Sequence, residues 1–245
     1  MKLSLRDDFV TQIGNHEIQD PAICASIIGK DLESMKKNVK NAEKSGAEVI
    51  ELRLDKLEDT SGWEKLLQEN IATIVTNRSE QEGGYFEGSE SERTEILIDA
   101  IEAGASCIDI ELSTPEEKRD LLLETALENS TSTIVSFHDF EKVPSIKKLT
   151  EKTKKIESTG CDFAKIIGFS KDAQDSLKIL DFLVNYTEKN EKPIITFAMG
   201  EKGKFTRAVA PLLGSPITYA SIEEKTAPGQ FRFSDLKEIL EKYRK

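Results

Sequence analysis

One lysine lies where lysine is least expected in a folded protein. Lys165 is in the middle of the apolar run DFAKIIGF, whose nearest other charge is Asp162. Burial penalises the ammonium ion and leaves a fraction of such side chains as neutral amine, which attacks ketones and aldehydes. The run therefore indicates imine chemistry at Lys165. The alternative is a structural lysine paired with a carboxylate inside the fold, such as Glu51 or Asp109.

A histidine ends the apolar run that precedes the run of Lys165. His138, in SFHDF, is one of two histidines, and the other, His16, is near the N-terminus. If the two runs are neighbouring strands, the His138 imidazole suits a general base for a proton next to a carbonyl group. Asp139 beside it is interpreted as an ordinary turn or capping residue.

The segment TNRSEQEGG follows another apolar run and carries two charged candidates. The planar guanidinium of Arg78 favours recognition of a carboxylate or of hydroxyl groups through paired hydrogen bonds. Glu82 either orients His138 and stabilises its protonated form, or is a solvated loop residue. The two glycines that end the segment permit a tight turn.

Charges alternate in the run ELRLD. Glu51, Arg53 and Asp55 share one face of a strand, because successive side chains point to opposite sides. Three charges cannot face an apolar layer, so they line a polar site or form a salt-bridged cluster, and both can hold. Other polar candidates lie at or after apolar runs: Ser26, Asp109, Glu111, Arg207, Thr226 and Gln230. The segment TAPGQ, which holds the last two, is interpreted as a loop that closes over a ligand.

Short apolar runs alternate with amphipathic stretches along the chain. The runs are bounded by Gly, Pro, Asp or Ser and are nearly continuous in hydrophobicity, as strands buried on both faces must be. Predicted strands are 22–28, 47–54, 71–76, 105–112, 132–137, 162–168, 193–198 and 217–222. Predicted helices are 31–45, 62–69, 89–103, 115–128, 145–159, 172–190, 203–213 and 234–244. Asp31 and Ser145 are expected to cap helices, and Pro115 to take the first position of another.

Eight strands that alternate with eight helices predict an α/β fold, the (β/α)8 TIM barrel. The rival is an open doubly wound sheet, which usually has a glycine-rich phosphate loop after its first strand; here that position reads SIIGKDLES. We expect one barrel domain over residues 1–245. Residues 1–20 fall outside the repeat as an extension, in which VTQIGNHEI is expected to form a hairpin that caps the N-terminal end of the barrel.

Composition excludes several classes of function. The 245-residue chain has a formal net charge of −11 and no basic patch interleaved with aromatics, so nucleic-acid binding is not expected. It has no apolar run of membrane-span length and no signal-peptide pattern, which predicts a cytoplasmic protein. The three cysteines lie in apolar stretches without metal-type spacing and are interpreted as buried thiols. An anionic substrate would need arginines placed locally.

Seven motifs occur in order between Ala22 and Leu240. They are ASIIG, IELRLD, TNRSEQEGG, SFHDF, FAKIIGF, MGEKGKFTR with GSPITYAS, and TAPGQ. In these motifs and their spacing the chain resembles the type I 3-dehydroquinate dehydratases, the Schiff-base enzymes of the shikimate pathway. The resemblance implies no metal, no dissociable cofactor and commonly a homodimer.

The resemblance also implies a role for each matching residue. Lys165 matches the lysine that forms an imine with the C3 ketone of 3-dehydroquinate. His138 matches the base that takes the C2 proton and later protonates the departing C1 hydroxyl, and Glu82 matches its carboxylate partner. The residues that match substrate-binding positions are Ser26, Glu51, Arg53, Arg78, Arg207, Thr226 and Gln230. Among these Arg207 is the expected carboxylate clamp, and Thr226 keeps the hydroxyl of a serine found in relatives.

Two other hypotheses compete with the dehydratase. A class I aldolase or transaldolase uses the same imine to cleave carbon–carbon bonds, and often binds sugar phosphates through backbone amides of the last two barrel loops. A non-catalytic barrel with a vestigial site would be expected to have lost the lysine or the histidine, and both are present.

Overall fold

The N-terminal segment forms a β-hairpin at one end of the molecule. In this computed structural model the described residues are 10–223 and 226–243, so residues 1–9 of the predicted extension lie outside them. Strands β1 (Val10–Ile13) and β2 (His16–Gln19) pair antiparallel. The backbone N–H of Gly14, in the turn, donates to the Ser132 hydroxyl at the start of a barrel strand (2.8 Å). The predicted hairpin at the N-terminal end of the barrel is confirmed.

Within the described residues, one parallel sheet of eight strands follows the hairpin. The strands are β3 (Ala22–Ile27), β4 (Val49–Arg53), β5 (Ala72–Thr76), β6 (Cys107–Glu111), β7 (Ser132–Asp139), β8 (Phe163–Phe169), β9 (Ile194–Met199) and β10 (Ile217–Ser221). Each strand from β3 to β9 pairs with the next, β10 pairs with β3, and β9 contacts β10 at the seam. The predicted (β/α)8 barrel is confirmed, and the open sheet is excluded.

Helices cover the outside of the sheet. They are α1 (Leu32–Lys44), α2 (Glu90–Glu102), α3 (Glu116–Glu128), α4 (Ile146–Glu157), α5 (Ala173–Thr187), α6 (Thr206–Val209) and α7 (Phe233–Glu241). Two predicted caps are confirmed: the Asp31 side chain accepts from the N–H of Ser34, and that of Ser145 from the N–H of Lys148. Every helix in the described ranges is too short or too polar to span a bilayer.

Two of the predicted helices are wrong in length or type. Instead of a helix over 62–69, the chain makes a 3₁₀ turn at Trp63–Leu66. Trp63 and Leu66, at the two ends of this turn, are both buried and lie three residues apart. A 3₁₀ helix has three residues per turn, so it places both side chains on the same face. Instead of a helix over 203–213, α6 is followed by a 3₁₀ turn at Ala210–Leu213, where Pro211 cannot donate a helical hydrogen bond.

Smaller differences occur at other helix ends. Pro115 precedes α3 as its cap residue instead of taking its first position. Helix α7 ends at Glu241, before the predicted end at 244, a residue outside the described part. The buried, free state of Cys24, Cys107 and Cys161 agrees with the prediction for the thiols.

The strand register decides which side chains meet inside the barrel. Ser26 of β3 is opposite Glu51 of β4, and Ser136 of β7 is opposite Lys165 of β8. Because the strands are parallel, their carboxyl ends share one end of the barrel, where active sites of this architecture are built.

Candidate active site

Most of the polar residues singled out in the sequence converge on one pocket at the carboxyl ends of the strands. The pocket holds about 460 Å³, including space open to solvent. Its walls include all ten predicted site residues: Ser26, Glu51, Arg53, Arg78, Glu82, His138, Lys165, Arg207, Thr226 and Gln230. Residues up to 204 positions apart in the chain therefore meet, and their individual roles stay predictions.

Lys165 points into this pocket from β8 and is only 4% exposed. Its Nζ donates to Oδ2 of Asp109 at 2.8 Å and is 3.7 Å from Oε1 of Glu51. The ammonium also faces the ring of Tyr219, 4.4 Å from the ring centroid. The carboxylates that the structural alternative named are thus both present, together with a cavity in which a ligand can reach the amine.

Asp109 of β6 is the group that sequence reasoning undervalued. It appeared there as a candidate partner for Lys165 and as one of several polar candidates without a role, yet it also forms an ion pair with Nη2 of Arg78 (2.7 Å) and accepts from the Ser136 hydroxyl (2.6 Å). Burial alone would raise the pKa of Asp109, but the Arg78 and Lys165 cations outweigh it and hold that pKa well below its usual range. The available signal was the run DIE, which puts Asp109 and Glu111 on one strand face.

His138 and Glu82 form a second pair across the pocket. Nδ1 of His138 is 2.9 Å from Oε2 of Glu82, and the same oxygen accepts from the His138 backbone N–H (3.1 Å). Ser113 donates to the other carboxylate oxygen at 3.2 Å. Glu82 is 6% exposed, so it is not a solvated loop residue. An ionised Glu82 places the imidazole proton on Nδ1 and leaves Nε2 as the proton acceptor.

Burial shifts both members of this pair in the direction of their neutral forms. It raises the pKa of Glu82 to about 7, although the nearby Arg78 cation opposes the change. It also lowers the pKa of His138 well below the usual value, with Arg78 and Lys165 adding to the effect. The imidazole is therefore unprotonated at neutral pH, the form that a general base requires.

Two glycines allow Glu82 to reach His138. Gly83 has a φ of +75°, and a Cβ there would lie 2.1 Å from the ring of Phe140. A Cβ on Gly84 would lie 2.0 Å from the carbonyl oxygen of Arg78. The ring of Phe140, from the loop after β7, thus packs directly on the turn after the 3₁₀ segment Glu80–Glu82.

Arg78 is engaged mainly by protein groups. Besides Asp109, its guanidinium donates to the Ser136 hydroxyl (2.9 Å) and to Glu111 (3.3 Å), and it is 3.8 Å from Glu82. A substrate bound by Arg78, as predicted, would therefore share its guanidinium with three protein carboxylates. Its position near the centre of the buried charges makes it an electrostatic partner of both residue pairs.

The ELRLD run both lines the pocket and forms a salt bridge. Arg53 makes two 2.7 Å hydrogen bonds to Asp55, which also accepts from the backbone of Tyr85. Glu51 accepts from the hydroxyls of Ser26 (3.1 Å) and Thr76 (3.0 Å). Both interpretations offered from the sequence thus hold together.

Arg207 is the cation best placed for an external anion. It is 1% exposed, donates to the Tyr219 carbonyl at 3.5 Å, and stacks on the Phe197 ring at 4.2 Å. In the described part of the chain its Nε has no hydrogen-bond partner, and no carboxylate lies within ion-pair distance. Burial lowers the pKa of Arg207 to about 9, and Glu51 opposes this only in part. An anionic ligand would relieve this uncompensated charge.

The last loop folds on itself beside Arg207. Oε1 of Gln230 accepts from the N–H of Thr226 (2.7 Å), and Nε2 of Gln230 donates to the Thr226 hydroxyl (2.8 Å). The loop packs on the segment after β9, where the N–H of Gly200 donates to the Pro228 carbonyl. The two predicted residues of this loop thus contact each other at the pocket wall.

Fold and site together define a barrel with a buried lysine, an imidazole and a guanidinium that has no carboxylate partner among the described residues, all around one pocket. The family model for type I 3-dehydroquinase matches residues 23–245. The chain belongs to this family, so the recognition made from its motifs is confirmed, and with it the expectation of a lyase of this class.

Named relatives and solved structures agree with the family assignment. The 3-dehydroquinate dehydratase of Methanosarcina acetivorans is 37% identical over 244 residues, 95% of this chain and 99% of that relative. That of Methanocaldococcus jannaschii is 37% identical over 89% of this chain and 96% of its own length.

Among solved structures, the Geobacillus kaustophilus enzyme has a TM-score of 0.89 at 26% identity, covering 100% of this chain and 98% of that one. A Clostridium difficile type I enzyme, described with covalently modified comenic acid, has a TM-score of 0.88 at 27% identity, covering 96% and 98%.

Proposed function

We propose that this protein converts 3-dehydroquinate reversibly to 3-dehydroshikimate, by syn elimination of water through an imine at Lys165. The observation that carries the proposal is the arrangement of Lys165 and His138: a buried amine and an unprotonated imidazole on neighbouring strands open into the same pocket. Membership of the type I family supplies the substrate.

The imine forms by addition of the Lys165 amine to the C3 carbonyl. The ammonium first releases a proton, and the neutral nitrogen then bonds to C3. The carbinolamine oxygen takes up one hydrogen from the nitrogen and the proton that the ammonium released, and it leaves as water. The nitrogen keeps one hydrogen as a protonated imine. This cation withdraws electrons from the C2–H bond, so the C2 proton becomes acidic enough for a side chain to remove.

His138 carries the two proton transfers of the elimination. Nε2 takes the C2 proton, and the electron pair moves to the C2–C3 bond, which gives a neutral enamine. The imidazolium then returns the proton to the C1 hydroxyl, and the C1–O bond breaks with loss of water. The electron pair of the C2–C3 double bond becomes the C1–C2 double bond, and the nitrogen lone pair restores the protonated imine. Glu82 stabilises the transient imidazolium through Nδ1. Hydrolysis of the imine releases the conjugated ketone and the free lysine.

Substrate binding is proposed for the remaining pocket residues. Arg207 holds the carboxylate, because its guanidinium has no ionic partner among the described residues. Glu51, Arg53 and Arg78 face the ring hydroxyls together with Ser26, Thr226 and Gln230. Arg53 and Arg78 are paired with carboxylates, so Arg207 provides the local positive charge for an anionic substrate in a chain whose formal charge is −11.

Borohydride trapping tests the proposal. Reduction in the presence of 3-dehydroquinate should inactivate the enzyme and add the mass of the reduced ligand to the peptide that contains Lys165. A Lys165→Ala variant should lose both turnover and adduct. The matched control Lys178→Ala removes a lysine that pairs with Asp175 on α5, outside the pocket, and should keep both. An adduct on another lysine, or turnover by Lys165→Ala, would exclude the mechanism.

The competing hypotheses are less well supported. An aldolase acting on sugar phosphates does not agree with the family match, and the last two loops direct Arg207 and Gln230 into the pocket. A non-catalytic barrel predicts ligand-induced stabilisation without turnover, which the same assay detects.

We also propose that the protein acts in the cytoplasm as a homodimer. Buried free thiols suit a reducing compartment, and the 82% exposed Leu127 on α3 is an apolar group that a second copy would cover. Light scattering after size-exclusion chromatography tests the dimer, and cell fractionation tests the location. A monomeric mass at micromolar concentration contradicts the dimer.

A further inference from the structure

A row of buried charges of alternating sign connects helix α2 to the reactive lysine. We call it the charge row. Nη1 of Arg93 is 3.5 Å from Glu111, which is 3.3 Å from Arg78. Arg78 is 2.7 Å from Asp109, which is 2.8 Å from Lys165. Its five members are Arg93, Glu111, Arg78, Asp109 and Lys165.

Asp109 divides its two oxygens between two cations. Oδ2 accepts from Lys165, whereas Oδ1 forms an ion pair with Arg78 and accepts from the Ser136 hydroxyl. The residue is 1% exposed, so water does not screen these contacts. Its carboxylate therefore sets much of the electrostatic environment of the lysine nitrogen.

Arg78 is fixed from the side opposite Asp109. Glu111 holds it, and Glu111 is itself fixed by the backbone and hydroxyl of Ser79 (2.9 and 2.7 Å) and by Arg93. Because Arg78 is anchored in this way, it neutralises part of the negative charge of Asp109 while Lys165 keeps its own contact with that carboxylate. The amine thus has a counter-ion whose charge it shares with another cation.

We propose that Asp109 is a catalytic residue of the reaction, which holds the Lys165 nitrogen through one N–H and keeps the imine protonated by balancing its charge. This rests on the proposed imine at Lys165. Asp109 takes up no proton; it accepts the same hydrogen bond from the ammonium, the amine and the protonated imine. Without it the imine nitrogen loses its proton more readily, and an unprotonated imine is a poor electron sink.

Other groups also face Lys165 from the elements around it. Glu51 on β4 is 3.7 Å from Nζ, and the Tyr219 ring on β10 lies at 4.4 Å. His138 on β7, Cys24 on β3 and Cys107 on β6 interact electrostatically with it. Of these, Glu51 is the other carboxylate, and it is farther away than Asp109. Asp109 is therefore the group whose neutralisation should affect Lys165 most.

The test measures how readily Lys165 reacts as a function of pH, without substrate. Trace acetic anhydride modifies neutral amines, and the acetylated Lys165 peptide is quantified by mass between pH 6 and 11, with the exposed Lys242 as internal reference. In Asp109→Asn the midpoint should move to lower pH by about one unit or more, since an adjacent anion is lost. The control Asp162→Asn makes the same change at the other end of the barrel, beside Thr133, and should leave the midpoint in place.

Turnover supplies the second measurement. In Asp109→Asn, kcat should fall about 10²-fold, as for loss of a charge that stabilises a reaction intermediate, with a smaller change in KM. The substrate-dependent borohydride adduct at Lys165 should still form. A purely structural role predicts a lower melting temperature with an unchanged acetylation midpoint and a nearly unchanged kcat, and that result overturns the proposal.

Arg78→Met provides a test of opposite sign if Asp109→Asn does not fold. Removal of the competing cation leaves the full charge of Asp109 to Lys165, so the midpoint should move to higher pH. An unchanged or lower midpoint in this variant overturns the proposal. Failure of the imine mechanism can be distinguished from failure of this proposal. If the imine mechanism is wrong, the wild-type enzyme forms no borohydride adduct with the substrate. The acetylation midpoints are measured without substrate and do not depend on that result.

Discussion

Oε2 of Glu82 lies 2.9 Å from Nδ1 of the His138 ring and accepts a hydrogen bond from the backbone N–H of the same residue at 3.1 Å. The double contact fixes the position of the imidazole as well as its tautomer. It also couples the base to a carboxylate whose pKa burial raises to about 7, so the state of the pair changes within the physiological range.

Activity should therefore rise as pH increases through about 7. Below that pH Glu82 is protonated and stabilises the imidazolium less well; above it the carboxylate is ionised. In Glu82→Gln the decrease in activity below about pH 7 should disappear, and kcat should fall about 10²-fold. A kcat profile against pH for both proteins tests this. An identical decrease in the variant would assign it to another group.

The same carboxylate should make the enzyme less stable as pH rises. A folded-state pKa raised from 4.5 to about 7 means that Glu82 stabilises the fold most below pH 4.5 and loses this contribution as pH approaches 7. Relative to wild type, Glu82→Gln should gain ~3 kcal/mol in unfolding free energy between pH 5 and pH 8. Urea unfolding at both pH values measures it. The exposed control Glu95→Gln should show no such gain.

Replacement of His138 should separate imine formation from elimination. In His138→Ala, kcat should fall by roughly 10²–10⁴-fold, because the general base is absent, while Lys165 remains free to react with the ketone. Borohydride should still trap the substrate on the Lys165 peptide. Loss of the adduct along with turnover would mean that His138 is needed before the proton transfer.

Arg207→Met should weaken substrate binding and stabilise the fold. Loss of the guanidinium removes the proposed carboxylate contact, which should raise KM at least tenfold. It also removes a buried cation that has no carboxylate partner among the described residues, so unfolding free energy should increase by about 1–3 kcal/mol. Steady-state kinetics and urea unfolding measure the two effects. A variant that is less stable would show that the wild-type charge is already compensated.

Gly83→Ala should disturb the Glu82–His138 contact through the backbone. The control is Gly104→Ala, since Gly104 also has a positive φ (+91°) but has nothing within 4 Å of an added Cβ. Gly104→Ala should cost about 1 kcal/mol of stability and leave kcat unchanged. Gly83→Ala should cost more and lower kcat, because its Cβ overlaps Phe140.

The double variant Gly83→Ala/Phe140→Ala identifies the source of the strain. Removal of the Phe140 ring should restore part of the stability lost in Gly83→Ala. If the losses of unfolding free energy in Gly83→Ala and Phe140→Ala simply add in the double variant, the overlap between the Cβ and the ring is not the cause.

Strand positions were accessible from the sequence because strands buried on both faces must be apolar throughout. The same condition made Lys165 conspicuous, since a charge in such a run needs a reason to be there. Helices were harder to predict from the sequence. The stretch 62–69 has the composition of a helix, yet tertiary packing buries only Trp63 and Leu66 on a single 3₁₀ turn.

The amino-acid sequence by itself determined the barrel, the family and ten of the residues that line the pocket, because each is recognisable from its own neighbours in the chain. Only the tertiary structure decided the partners of those residues. Lys165 and Asp109 are 56 positions apart, as are His138 and Glu82, and they meet because parallel pairing aligns the carboxyl ends of β5, β6, β7 and β8. Local patterns do not encode such distances. The shared charge of Asp109, and the absence of a carboxylate partner for Arg207 among the described residues, follow from the strand register and from burial, which exist only in the folded protein.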